Sequence, residues 1–236
     1  MPLLNTFDKI INNNGFILTA LIDPDKKNDS KLDLILSQIN NSSFSLVLIG
    51  GSKIEDNLIE DRIKYIKSNT TLPIISFPGS ANQISKQIDT MLYLNLISGR
   101  NPKYLIEEQV RGALKINSLS INTIPTAYIL LDGGNNTSVA SVSNTKGLSM
   151  DNKETILSHA LAGQYMGNEC IYFDCGSGSE KSIQPDLLLY LKQYIDIPII
   201  VGGGIKSYKQ AVKLSENGAS YVVVGNALEN NIFTTG

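Results

Sequence analysis

Histidine and cysteine are nearly missing from this 236-residue chain, which has one histidine, His159, and two cysteines, Cys170 and Cys175. His159 falls in an apparent helix over residues 152–166, where a surface or internally satisfied role is expected. That excludes serine–histidine–aspartate and cysteine–histidine nucleophile systems together with histidine-rich metal centres. The two cysteines bracket one predicted strand at an odd offset, so they point to opposite faces and cannot easily bridge. Two thiols make no metal framework, and both read as small buried residues in a reducing compartment. A basic excess is missing too: the net charge of -2 gives no footprint for nucleic acid. Any anion must therefore be held locally. No basic N-terminal segment leads into an apolar core, and no stretch approaches the ~18 apolar residues of a membrane span. The expectation is a soluble, cytoplasmic protein.

What is present is apolar and periodic. Hydrophobic residues make up 42% of the chain and charged residues 18%, which supports a real core and argues against disorder. After a short opening helix over residues 7–13, short apolar runs alternate with helical patterns. The strands are read at residues 16–22, 44–49, 73–77, 91–96, 127–131, 170–173, 197–201 and 221–224. Between them, helical spacing is read at residues 30–40 (Ser30 as N-cap), 54–68, 102–117, 185–194 and 208–217, and Asp151 is read as the cap of the helix holding His159. Residues 81–88 have room only for a short helix, and residues 135–149 read as a long polar loop without periodicity. Strands that are unbroken apolar runs, each followed by a helix, predict buried parallel strands covered on the outside. About eight such units in 236 residues, with no linker or composition shift, predict a single-domain (β/α)8 TIM barrel over residues 1–236.

In such a barrel the loops after the strands share one face, and active sites form there. Three strands in succession end in glycine: residues 170–173 lead into Asp174-Cys175-Gly176-Ser177-Gly178, residues 197–201 into Gly202-Gly203-Gly204, and residues 221–224 into Gly225-Asn226. Glycine permits close backbone approach, and N–H groups at such turns form a nest for phosphate oxygens. The loops after strands six to eight are thus predicted to hold a phosphate. Asp174 leaves an apolar strand beside these loops and is a candidate for proton transfer, or else a structural carboxylate bonded to backbone amides. Asp23, in Asp23-Pro24-Asp25, stands at the end of the first strand, and Ser52 follows the second. Together they suit Mg2+, which prefers oxygen ligands and keeps waters and substrate phosphates in its shell. Asp25 is either a further ligand or the cap of the following turn.

At these motifs the chain resembles the geranylgeranylglyceryl phosphate synthase family, which includes the bacterial heptaprenylglyceryl phosphate synthases. The resemblance rests on Leu21-Ile22-Asp23-Pro24-Asp25-Lys26, Ile49-Gly50-Gly51-Ser52 and Phe77-Pro78-Gly79-Ser80. It continues through Tyr93-Leu94-Asn95-Leu96-Ile97-Ser98-Gly99-Arg100-Asn101-Pro102, Tyr172 to Gly178, Val201 to Ile205 and Val223 to Ala227. The last two occur in other phosphate-binding barrels, whereas the ordered set is specific. The stretch from Tyr93 to Pro102 looks like the family's second group, whose members make the geranylgeranyl product.

The resemblance implies transfer of a polyprenyl group from its diphosphate to the 3-hydroxyl of sn-glycerol 1-phosphate, with Mg2+ and release of diphosphate. By motif, Asp23 and Ser52 would hold the metal. Tyr172, Phe173, Asp174, Cys175, Gly176, Ser177, Gly178, Gly203, Gly204, Gly225 and Asn226 would hold glycerol phosphate, with Asp174 and Tyr172 as the catalytic residues. Many relatives carry Glu where this chain has Asp174, and the shorter side chain requires backbone or substrate to sit closer. Tyr93, Leu94, Tyr104, Leu105 and Ile106 lie on the elements best placed to line a prenyl groove. The lipid product implies transient membrane contact, and relatives form dimers or hexamers, so a homo-oligomer is expected. The alternatives are another phosphate-binding barrel, such as a sugar-phosphate isomerase, and a synthase for a longer prenyl chain.

Overall fold

The computed structural model describes residues 11, 15–51, 54 and 56–235. Eight parallel strands close into one barrel in sequence order. They are β1 (Ile17–Ile22), β2 (Leu46–Ile49), β3 (Ile74–Ser76), β4 (Thr90–Leu96), β5 (Asn122–Leu130), β6 (Cys170–Asp174), β7 (Ile199–Gly202) and β8 (Tyr221–Val224). The helices are α1 (Leu32–Asn40), α2 (Ile59–Ser68), α3 (Glu108–Ser118), α4 (Ser138–Ser143), α5 (Lys153–Tyr165), α6 (Pro185–Lys192), α7 (Tyr208–Glu216) and α8 (Asn226–Glu229). The (β/α)8 barrel expected from the alternation is the fold.

Strand parity sorts the chain into two apolar layers. Ile17, Leu46, Leu48, Tyr128, Cys170, Tyr172 and Val223 fill the barrel interior. Their neighbours Leu18, Val47, Ile129, Ile171, Phe173, Cys175 and Val222 pack outward against the helices. Cys170 and Cys175 therefore lie in different layers, both buried and free, as their odd offset required. The helices meet the outer layer through side chains at 3.6-residue spacing; on α1, Ile35, Leu36 and Ile39 are all buried. Each contributes about 1.5–3 kcal/mol by leaving water.

Several local expectations are corrected. The turn after β1 begins at Asp25, whose carboxylate accepts from Lys26 N, and runs as a 3-10 helix (Lys26–Lys31) before α1, so Ser30 is not the cap. Asn152 rather than Asp151 caps α5, its side chain accepting from Thr155 N. The polar stretch after β5 is not wholly irregular: Thr137 caps the short helix α4 through Ala140 N. Its Ser/Val/Ala composition hid a helix too short to show a period. The opening helix over residues 7–13 lies outside the described residues.

The barrel wall is weakest between β3 and β4. They share one register pair, Ser76 with Met91, while β4 and β5 pair from Thr90–Asn122 to Leu96–Tyr128. Only a 3-10 turn, Ala81–Gln83, connects β3 to β4. Then α3 is preceded by a π-helical turn, Lys103–Glu107, so the helical span predicted at 102–117 is two elements. With no full helix over the β3–β4 seam, an apolar cleft opens there.

Candidate functional site

At the C-terminal ends of the strands a polar cavity of about 440 Å³ is lined by Asp23, Asp25, Tyr172, Asp174, Gly176, Ser177, Gly178, Gly203, Gly204, Gly225 and Asn226. Parity explains the selection. Leu21 faces the barrel interior, so Asp23, two residues on, is delivered to the mouth. Tyr172 and Asp174 share the inward face of β6, and Phe173 and Cys175 face outward. The structure thus assembles the predicted residues but places the side chains of Phe173 and Cys175 in the helix-facing core. Ser52 lies outside the described residues. Burial pushes the Cys175 thiol well up, as befits an inert core cysteine.

The turns after β6, β7 and β8 are bound to one another. Asn226 Oδ1 accepts from Gly178 N at 2.7 Å and Ser177 Oγ at 2.7 Å. Gly203 has φ +86, and a Cβ there would lie 2.8 Å from Gly176 N, so only glycine lets these two turns touch. The amides of Gly176 and Gly178 are already engaged, by Asp174 and Asn226. The amides of Ser177, Gly203, Gly204, Gly225 and Asn226 find no acceptor among the described residues and are free to meet an anion in the cavity.

Asp174 is nearly fully buried at 7% exposure. Its Oδ1 accepts from Gly176 N at 2.7 Å, and its Oδ2 accepts from the hydroxyl of Tyr128. Burial raises its pKa, with the bonds from Tyr128 and Gly176 opposing. Tyr128, which holds this carboxyl, is the site partner the sequence did not disclose. It lies mid-strand on β5, opposite Tyr172 in register, where an aromatic reads as core. Phe77, Tyr128 and Tyr172 form an aromatic cluster, with ring centroids 5.1 Å apart for Phe77–Tyr172 and 5.3 Å for Tyr128–Tyr172. The Asp174 carboxyl is thus gripped on both oxygens beside the cavity.

Asp23 sits across the mouth. Lys27 Nζ meets its Oδ2 at 2.7 Å, while its Oδ1 is buried and accepts nothing from the described residues. That oxygen faces Gly51, where a Cβ would come within 2.2 Å of it, so β2 can pass Asp23 only as glycine. Burial raises the Asp23 pKa despite Lys27. Among the described residues no three His, Cys, Asp or Glu side chains form a metal cluster. One buried carboxylate oxygen without a donor among the described residues, in a cavity lined by backbone amides, is the kind of oxygen donor Mg2+ takes when substrate oxygens and waters complete its shell. The residues present fit that ion. Asn28 braces the corner, donating to Asp23 O at 2.9 Å and Glu229 Oε1 at 2.8 Å. Asp25 is the turn cap, although it also lines the cavity.

The apolar cleft at the β3–β4 seam is lined by Phe77, Ile84, Met91, Tyr93, Leu94, Leu96, Tyr104, Gly112, Ile116 and Tyr128. Of the groove residues expected from sequence, Tyr93, Leu94 and Tyr104 line it. Leu105 and Ile106 do not, because the π-helical turn rotates them away, Ile106 to 63% exposure. Cleft and polar cavity share Gly51, Phe77 and Val139. His159 is remote and internally bonded, through Thr155 O and Arg100. Asp132 caps its own turn through Gly134 N, outside the cavity.

Comparisons with known proteins agree with this geometry. The sequence profile of the PcrB family matches residues 9–235. A geranylgeranylglyceryl phosphate synthase of Flavobacterium johnsoniae is 42% identical over 219 residues, covering 93% of this chain and 90% of that one. One of Pyrococcus abyssi is 34% identical, covering 89% and 83%. The crystal structure of the Thermoplasma acidophilum (S)-3-O-geranylgeranylglyceryl phosphate synthase, in complex with its substrate sn-glycerol-1-phosphate, superposes with TM-score 0.83 at 31% identity, over 94% of this chain and 91% of that one. An N-acetylmannosamine-6-phosphate 2-epimerase from Clostridium perfringens, TM-score 0.56 at 15% identity, shares the fold alone.

Proposed function

The chain belongs to the PcrB family, and from that premise we propose that it is a prenyltransferase joining geranylgeranyl diphosphate to the 3-hydroxyl of sn-glycerol 1-phosphate. The observation that carries the reading is the junction of two unlike cavities. A polar, amide-lined cavity and an apolar cleft meet at Gly51, Phe77 and Val139, with Asp23 and Asp174 on the polar side. A substrate pair of one phosphate and one long hydrocarbon matches that pairing, and a sugar phosphate would leave the cleft unused.

In this reading the phosphate of glycerol 1-phosphate is held by the amides of Ser177, Gly203, Gly204, Gly225 and Asn226, which meet no acceptor among the described residues, with the Asn226 side chain bracing the loops. That anchoring turns the 3-hydroxyl toward the junction and makes its attack effectively unimolecular. The hydroxyl oxygen bonds to the allylic carbon, the carbon–oxygen bond to diphosphate breaks, and the hydroxyl proton passes to Asp174. Burial raises the basicity of that carboxylate, which suits it to the transfer. The bonds from Tyr128 and Gly176 fix its orientation, and Tyr172 walls the same space. Asp23, with Ser52, would hold Mg2+, which when bound neutralises charge on the departing diphosphate.

The prenyl tail would lie in the seam cleft against Phe77, Tyr93, Leu94 and Tyr104, ending toward Ile84 and Ile116. No described helix is long and apolar enough to cross a membrane. In this reading the protein works in the cytoplasm and meets lipid transiently, through its product. Ile106, Val110 and Leu114, four apart and 63%, 68% and 84% exposed, form an apolar strip that a second copy would cover in a homo-oligomer. The transfer is tested with geranylgeranyl diphosphate and each glycerol phosphate enantiomer, with and without EDTA. Turnover of sn-glycerol 1-phosphate alone, abolished by chelation and restored by Mg2+, is expected. Equal use of both enantiomers would overturn the acceptor assignment, and activity indifferent to chelation would overturn the metal.

A further inference from the structure

Lys27 is the one basic side chain in contact with the Asp23 carboxylate among the described residues, and its place is unusual. The first turn after β1 brings it back by four residues, Nζ 2.7 Å from Asp23 Oδ2. Asp25 and Glu229 line the same cavity, and both add to the negative charge around the Lys27 ammonium. Glu229 is held there by Asn28, which also grips the Asp23 carbonyl. The other Asp23 oxygen has no donor among the described residues. We propose that Lys27 is an exchangeable counter-ion that competes with the divalent metal for Asp23 and is released when metal and diphosphate enter together. The inference rests on the metal role of Asp23 proposed above.

Charge and space both set Lys27 against a metal on Asp23. Mg2+ sits about 2.0–2.1 Å from a ligand oxygen. An ion on Oδ2 would displace the ammonium, and one on Oδ1 would stand within a few ångströms of it on the same carboxylate. Either way, binding metal alone sets a cation against a cation where burial weakens screening. Lys27 is half-exposed on a flexible stem, so it can swing away at little cost. A diphosphate arriving with the metal offers the ammonium a new anionic partner, so metal binding becomes tight only when diphosphate is present. The empty enzyme then keeps its acids neutralised without holding metal.

The test titrates Mn2+ into the substrate-free protein, followed by the loss of the free-ion paramagnetic resonance signal, for wild type, Lys27→Met, Lys27→Arg and Asp23→Asn. Lys27→Met should bind Mn2+ about tenfold or more tighter than wild type, and Lys27→Arg should resemble wild type. Inorganic diphosphate should tighten Mn2+ strongly in wild type and much less in Lys27→Met. Circular dichroism and melting temperature verify that each variant is folded. Unchanged or weaker binding in Lys27→Met, with Asp23→Asn abolishing it, would overturn the role of Lys27 and leave the metal site standing. Binding that survives intact in Asp23→Asn would overturn the metal site itself and this inference with it.

Discussion

Replacing Tyr128 by Phe removes one oxygen and leaves the aromatic cluster with Phe77 and Tyr172 in place. The lost group is the donor to Asp174 Oδ2. A hydrogen bond to a charged acceptor contributes about 1.5–3 kcal/mol, and one to the neutral acid about 0.5–1.5 kcal/mol. The difference, about 1–1.5 kcal/mol, favours the carboxylate and corresponds to roughly one pKa unit at 1.36 kcal/mol each. Asp174 already stands above its ordinary 3.8 because it is buried, so Tyr128→Phe should raise it further. If Asp174 is the base, the acidic limb of kcat/KM for sn-glycerol 1-phosphate should move to higher pH by roughly one unit. The stability linkage has the same origin. With the folded value above the unfolded one, the contribution of Asp174 to stability is full below pH 3.8 and is lost as pH rises through the folded value. Tyr128→Phe should widen that window and cost more stability at neutral than at acid pH. The assay is a pH series of initial rates, paired with melting curves at the same pH values. An acid limb that stays in place, or moves down, would refute the coupling of Tyr128 to a catalytic Asp174.

Four other outcomes follow from the geometry. Asp174→Asn should lower kcat about 10²–10⁴-fold while glycerol phosphate still binds by calorimetry, and full activity would remove Asp174 from the mechanism. Gly203→Ala should raise KM for glycerol phosphate several-fold and cost about 1–2 kcal/mol, because its φ of +86 and its contact with Gly176 leave no room for Cβ; an unchanged KM and melting curve would contradict this. Gly112→Leu adds bulk beside Ile84 and Ile116 and should shift preference from C20 toward C10 or C15 donors in a competition assay, where an unaltered product ratio would place the tail elsewhere. Phe173→Ala should cost about 3–5 kcal/mol of stability, since the ring is a fully buried part of the outer core. A normal melting temperature with a raised KM would return Phe173 to the substrate site.

The barrel was legible because eight apolar runs alternating with helical patterns, six of them stopping at Gly or Asp, need no tertiary information to be seen. Asp23, Asp174 and the glycine turns were legible for the same reason, standing where an apolar run stops. Direction was harder. Phe173 and Cys175 sit inside the same motif as Tyr172 and Asp174, yet strand parity turns them outward. Tyr128 was hidden because its partner is 46 residues away across a strand pair. The seam between β3 and β4 depends on how few residues pair there, and apolar composition carries no trace of that. Lys27 had a local signal, four residues after Asp23, that reads equally as an ordinary surface pair.

In the proposed reaction one hydrocarbon and one phosphate meet between the cleft and the amide-lined cavity. Incubation of the purified protein with radiolabelled sn-glycerol 1-phosphate, Mg2+ and prenyl diphosphates of graded length, followed by solvent extraction, measures that event. The prediction is label in a lipid-extractable ether, greatest with the C20 donor and matched by an equal release of diphosphate. Label that stays in the aqueous phase with every donor, or diphosphate released without ether, would contradict it.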